Sequence, residues 1–266
     1  MNTKIDQVKS FFAQPEQYLK NDFNIRIRAE VIKGFVGDSV FGSILDLGCG
    51  NGAISLPLLR QADHLTLLDI SQNMLSIARS NVPVEFLGKV ETINEDFMRA
   101  ELGSNSYDLI FCLGVLAHVD SPINIITKMV SLLKPNGSII VQNTDSRHPV
   151  SYLFKLYSAL RNVLLPSPYS LNRISGTRLM EIFSDQGLKL SAIYRYNLPF
   201  PGMIRIFSSD NLYKFIKKIY GTHTNNHFSW LGRECIYYFR KLDTAPGDYP
   251  EVKVGEGKDD NQQKQR

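Results

Sequence analysis

Apolar positions along this chain follow two rhythms: short unbroken runs, and spacings of three and four. The runs read as buried strands at Ile44–Leu47, Leu65–Leu68, Val90–Asn94, in a fourth strand ending before Cys112, and at Ser138–Gln142, Leu188–Tyr196 and Glu234–Arg240. Ser71 reads as the N-cap of a helix with Met74, Leu75 and Ala78 on one face. Another helix is predicted at Thr177–Gln186, stopped by Gly187. Residues 1–40 read as a cap of two helices, with Phe11, Phe12, Leu19, Ile25 and Ile27 as apolar contacts. Residues 41–242 then form one domain, interrupted by insertions at about 146–175 and 199–231. The first insertion carries Tyr152, Leu153, Leu156, Leu160, Val163 and Leu164 at helical spacing. The second contains an amphipathic helix at 210–220. Its Leu212, Phe215, Ile216 and Ile219 share a face, Lys214, Lys217 and Lys218 lie off it, and Gly221 can cap its end. Residues 243–266, polar with few apolar anchors, are expected to be disordered.

The first strand runs into a turn, Asp46-Leu47-Gly48-Cys49-Gly50-Asn51-Gly52. Glycine there lets main chain approach a ligand closely, and the start of a following helix offers free N–H groups and partial positive charge. Asp46 places an acid beside that positive end. The combination suits a ligand with carboxylate and ammonium together, as at the methionyl end of S-adenosyl-L-methionine. Gly48-x-Gly50-x-x-Ala53 also fits a dinucleotide fingerprint, but a carboxylate at 46 would repel a pyrophosphate. A P-loop is excluded because no Gly-Lys-Ser/Thr follows. Asp69 ends the second strand about 20 residues on, the offset of a ribose-binding acid. Asp96 and Phe97 follow the third strand, where an acid can take the adenine amino group and a ring can lie on the base.

With these residues the chain resembles the class I S-adenosylmethionine-dependent methyltransferases. The matching motifs are DLGCGNG at 46–52, LLDISQNML at 67–75, EDF at 95–97, YDLIFCLGVLAHV at 107–119 and LLKPNGSIIV at 132–141, so the likeness covers about residues 40–145. It implies an α/β fold: a doubly wound, seven-stranded Rossmann-like sheet of order 3-2-1-4-5-7-6, last strand antiparallel, with helical lid insertions. The cofactor would lie over the carboxyl ends of the strands. Carried onto these motifs, the resemblance implies cofactor contacts from Asp46, Gly48, Cys49, Gly50 and Asn51. Asp69, Ile70, Met74, Asp96, Phe97, Cys112 and Leu113 complete the set. In the leading segment, Tyr18 could cover the sulfonium and Arg28 could reach the methionyl carboxylate. The bland alternatives are a packing tyrosine and a solvated arginine.

Composition fits a cytoplasmic enzyme. A chain of 266 residues with 43% hydrophobic content can bury one sizeable core. The N-terminus shows no secretory pattern, and no apolar run is long enough to span a membrane. Three scattered cysteines suit a reducing compartment. A net charge of +4 is too small to signal nucleic-acid binding.

Both insertions are expected over the acceptor pocket, and their apolar content points to a small, partly apolar acceptor. Oxygen is the preferred target, in natural-product, quinone or glycolipid biosynthesis; N- or C-methylation is the alternative. Leu113-Gly114-Val115-Leu116 replaces the Asn/Asp-Pro-Pro-aromatic tetrapeptide of amino-group methylases, which argues against nucleobases. The region is also similar to ubiquinone-pathway O-methyltransferases, whose Glu-x-x-Glu-His pattern accompanies a metal. Gly114 and Ala117 stand at the glutamate positions with only His118 retained, so no metal is expected. His118, His148 and His223 are the candidate bases if the acceptor must lose a proton, with His227 and Asp145 behind them. Each has an ordinary structural alternative. The basic helix at 210–220 raises a peripheral membrane contact, against the plainer reading of a lid packed on the domain. Two rivals from other classes are a nicotinamide-dependent oxidoreductase and a non-catalytic S-adenosylmethionine-binding subunit.

Overall fold

The computed structural model describes residues 22–152, 172, 174–198, 203 and 206–242. In chain order these form α1 (Asp22–Val36), β1 (Phe41–Leu47), β2 (Ala62–Leu68), α2 (Gln72–Ser80), β3 (Val90–Ile93), β4 (Tyr107–Cys112), α3 (Pro122–Leu132) and β5 (Leu133–Thr144). Then come α4 (Gly176–Asp185), β6 (Leu188–Tyr196), α5 (Ser209–Tyr220) and β7 (Glu234–Lys241). The seven strands form one sheet of order β3-β2-β1-β4-β5-β7-β6. β1 lies between β2 and β4, all parallel, with Ile44 opposite both Leu65 and Leu109. β7 runs antiparallel to β5 and β6. This is the doubly wound sheet implied by the sequence resemblance.

The central strands are continuous apolar runs because both of their faces are covered. Alternation then divides them between two cores. Ile44, Leu109 and Phe111 join Phe23, Ile27 and Ile32 of α1 on one face. Leu45, Ile110 and Cys112 join Ile126 and Met129 of α3, and Leu179 and Phe183 of α4, on the other. Each fully buried Leu, Ile or Phe contributes about 1.5–3 kcal/mol relative to exposure. Helix starts follow the caps: Ser71 accepts from Met74 N–H, and Ser175 accepts from Arg178 N–H.

Element boundaries match closely for β6, while β5 starts earlier than the turn at Lys134–Gly137 suggests. The turn sits inside the strand as an irregularity: pairing steps from Tyr107↔Leu133 to Leu109↔Ser138, with Asn136 at φ 61°.

α5 is the helix read as part of a lid, in the plainer reading packed on the domain. Among the described residues it packs on α1. Leu212, Ile216 and Tyr220 are buried in the same core as Phe23 and Ile27. Lys217 pairs with Glu30, Arg26 with Asp210, and the Tyr213 hydroxyl donates to Glu30. Its face rotates accordingly: Phe215 is 47% exposed and Tyr220 is buried. The apolar stripe that raised a membrane contact is thus largely covered by the domain. Among the described residues no helix is long and apolar enough to cross a membrane. Tyr18, most of the 149–168 helix and the tail at 243–266 lie outside the described residues.

Candidate functional site

A cavity of about 520 Å³ opens at the carboxyl ends of β1, β2 and β4. Its floor is the glycine turn. Gly48, Gly50 and Gly52 all have positive φ (68°, 54° and 73°), which side-chain-bearing residues adopt reluctantly. Gly48 and Cys49 N–H both donate to Leu68 C=O, at 2.8 and 3.2 Å, tying the turn to β2. A Cβ on Gly48 would stand 2.5 Å from Val115 Cγ2, so glycine keeps this wall open.

Asp69, at the end of β2, faces the cavity. Its carboxylate accepts Gly50 N–H at 2.9 Å and Ser71 N–H at 2.8 Å. Burial pushes its pKa up, and these hydrogen bonds oppose that rise. Asp46 behaves differently. It is buried behind the turn, outside the cavity lining, and accepts the Ser55 hydroxyl at 2.6 Å. Burial pushes it up to about 7; the Ser55 hydrogen bond lowers it and the neighbouring Asp69 charge raises it. Strand alternation turns Asp46 toward Ser55, so the two acids do not face the cavity together as the sequence suggests.

The third wall is Asp96–Arg99. Asp96 accepts Met98 N–H at 2.7 Å, and Phe97 is buried with its surface on the cavity. Lys128 of α3 secures this loop, donating to Phe97 C=O at 2.6 Å and Ala100 C=O at 2.7 Å. Its ammonium also lies 5.0 Å from the Phe97 ring centroid. Opposite stands Arg28 of α1, 9% exposed rather than solvated. Its terminal nitrogens lie 3.7 and 3.8 Å from where a Gly114 Cβ would be, and its Nε has no hydrogen-bond partner among the described residues.

Of the residues predicted to meet cofactor, Arg28, Gly48, Gly50, Asp69, Ile70, Met74, Asp96, Phe97 and Leu113 line the cavity. Asp46, Cys49, Asn51 and Cys112 do not. Cys49 and Cys112 are buried, and burial, the larger effect, together with Asp46 raises both thiol pKa values. Each packs in one of the two hydrophobic cores.

Among the histidines, His118 lines the cavity. His148 is buried elsewhere, its Nε2 2.8 Å from Trp230 C=O while Nδ1 accepts Val150 N–H. With both ring nitrogens engaged, it has no free position for an acceptor. His223 packs edge-on against Phe35, beneath α1, and is likewise outside the cavity. Asp145 accepts Arg147 N–H at 3.0 Å and is not in the lining. Sequence reasoning missed Asp120, Ser121 and Asn124, which complete the wall beside His118. The Ser121-Pro122 helix start was the available signal, since such a start exposes its first turn. The end of the first insertion does reach this rim: Asn172 donates to Ala117 and Val119 C=O on either side of His118. Among the described residues, no group of three or more His, Cys, Asp or Glu side chains could hold a metal.

Residues 45–141 match the family model described as a methyltransferase domain. The structure resembles that of magnesium protoporphyrin IX methyltransferase from Synechocystis PCC 6803, solved with S-adenosylhomocysteine. The TM-score is 0.59 at 14% identity, covering 90% of this chain and 100% of that one. The chain thus carries the fold of the class I S-adenosylmethionine-dependent methyltransferases, and the stretch that matches the family model holds β1 to β5. Among curated proteins it is 34% identical over 120 residues to the ubiquinone biosynthesis O-methyltransferase of Marinobacter nauticus, covering 43% of this chain and 49% of the relative. It is 28% identical over 179 residues to that of Vibrio cholerae, covering 65% and 72%. The chain spans about half the length of the first curated relatives it matches.

Proposed function

We propose that this protein moves the methyl group of S-adenosyl-L-methionine to an oxygen of a small, partly apolar acceptor of the quinone or natural-product kind. The observation that carries the reading is the pairing of charges across one cavity. Arg28 offers a buried cation with no ion pair among the described residues at one wall, and Asp69 offers a carboxylate at another. That arrangement fits a ligand with a carboxylate at one end and ribose hydroxyls at the other, and the Gly48 cradle leaves room for its backbone. The names of the curated relatives support oxygen as the target.

When bound, S-adenosylmethionine supplies a methyl group already activated by its sulfonium. The protein's share is then mostly orientation and exclusion of water, with orientation worth up to about 7–11 kcal/mol in favourable systems. In this reading Arg28 holds the carboxylate, Asp69 accepts the ribose hydroxyls, and Asp96 and Phe97 hold the adenine. His118 stands at the wall to take a hydroxyl proton from the acceptor. Calorimetric titration with S-adenosylhomocysteine and with NADPH tests the reading. Binding of NADPH alone would reverse it, and methyl transfer to a panel of phenols and catechols would identify the acceptor. His118→Ala should lower kcat about 100-fold on a phenolic acceptor and remove the acidic limb of the pH–rate profile. An unchanged profile would take His118 out of the chemistry.

A further inference from the structure

Arg28 is a buried cation, yet the ion pairs formed by the described residues do not include it. Close to it, at the end of β6, is the fully buried hydroxyl of Tyr196. That hydroxyl donates to Asn24 Oδ1 at 2.7 Å. It accepts from Gln142 Nε2 at 3.4 Å. One proton and two lone pairs are all a hydroxyl has, so a single acceptor direction is left over. Asn24 and Arg28 sit four residues apart, on the same face of α1. The tyrosine therefore meets α1 one helical turn before Arg28, with its remaining acceptor direction available to the guanidinium, and Gln142 braces it from β5.

We propose that Tyr196 is a positioning residue: its hydroxyl, oriented by Asn24 and Gln142, holds the Arg28 guanidinium over Gly114 for the carboxylate end of the bound nucleoside. The inference rests on the methyltransferase reading and deepens it at one subsite. Tyrosine suits the task because it is a neutral acceptor. Burial pushes its pKa up to about 12, the Arg28 charge opposing, so the hydroxyl keeps its proton at working pH. An aspartate or glutamate at this place would also orient the guanidinium, but it would neutralise the charge that a ligand carboxylate needs. Left with a neutral partner and an unpartnered Nε, Arg28 retains its electrostatic pull.

The test compares two ligands by calorimetry. S-adenosylhomocysteine carries the carboxylate; 5′-methylthioadenosine is the same nucleoside without the amino-acid end. Tyr196→Phe removes one oxygen and keeps the ring. It should weaken S-adenosylhomocysteine about 5- to 20-fold and leave 5′-methylthioadenosine within about twofold, raising the cofactor KM with little change in kcat. Arg28→Gln should show the same selectivity with a larger loss. The double variant should bind no more weakly than Arg28→Gln, since both substitutions break one arrangement. Equal losses for both ligands would mark Tyr196 as a packing residue and overturn the inference. Undiminished binding of S-adenosylhomocysteine, or additive losses in the double variant, would do the same. Should Tyr196→Phe not fold, Asn24→Ala frees the hydroxyl to turn and must produce the same selective loss. Failure of the unaltered protein to bind either ligand would instead bring down the methyltransferase reading, and this inference with it.

Discussion

At the scale of single residues, Asp46 carries the sharpest physical consequence. Its folded pKa of about 7 lies above the ordinary aspartate value of about 3.9. Between those values the folded chain holds a proton that the unfolded chain has released. Stability contributed by Asp46 is therefore present at low pH and lost as pH rises through about 4 to 7. The loss amounts to as much as about 4 kcal/mol, since each pKa unit corresponds to 1.36 kcal/mol. Asp46→Asn removes the linkage. Urea unfolding at pH 5 and pH 8 should show the unaltered protein falling by a few kcal/mol relative to the variant. A constant difference between the two would show that Asp46 does not titrate in this window. Residue types and spacings already marked Asp46 and Asp69 as the acids of the glycine turn. Spacing could not tell which of them faces the cavity, because that depends on strand alternation and on where Ser55 folds back.

At the scale of elements, two helices show what local pattern reveals and conceals. α3 buries Ile125, Ile126 and Met129 on one face, while its Lys128 gathers two carbonyls of the loop that carries Asp96 and Phe97. Burial lowers the lysine pKa, opposed by the Asp96 charge, but the ammonium is satisfied by the loop. Lys128→Met should loosen that wall and weaken S-adenosylhomocysteine and 5′-methylthioadenosine alike, about tenfold, the opposite selectivity to Tyr196→Phe. Unchanged affinity for both would make the lysine a bystander. α5 had a legible start, stop and amphipathicity: Ser208 caps it and Gly221 ends it at φ 69°. Its place on α1 was not legible. Ile216, buried between α5 and the α1 side of the core, should cost about 2–5 kcal/mol when cut to alanine, read by chemical denaturation. A helix poised over an open pocket would lose far less.

For the whole molecule, strand order matters more than any one element. β7 inserts between β5 and β6, so the last strand in sequence becomes an inner strand of the sheet. The strand order as a whole leaves Tyr196 within reach of Gln142 and α1, and it sets β1, β2 and β4 side by side so that their turns share one cavity. Ligand sites of open α/β sheets lie outside the carboxyl ends of the strands, and this cavity follows the rule.

Read alone, the chain determines its strands and most of its helices, because burial on two faces demands apolar runs and burial on one face demands a helical period. It also determines the glycine turn with its acids, since only glycine relaxes at those dihedrals. Tertiary structure decided the rest: that Asp46 turns inward, that α5 covers α1, that His118 and not His148 or His223 meets the cavity, and that Arg28 is buried beside Tyr196. Asn24 and Tyr196 stand 172 residues apart in the chain. No local spacing encodes such a meeting; it exists only once the sheet has closed.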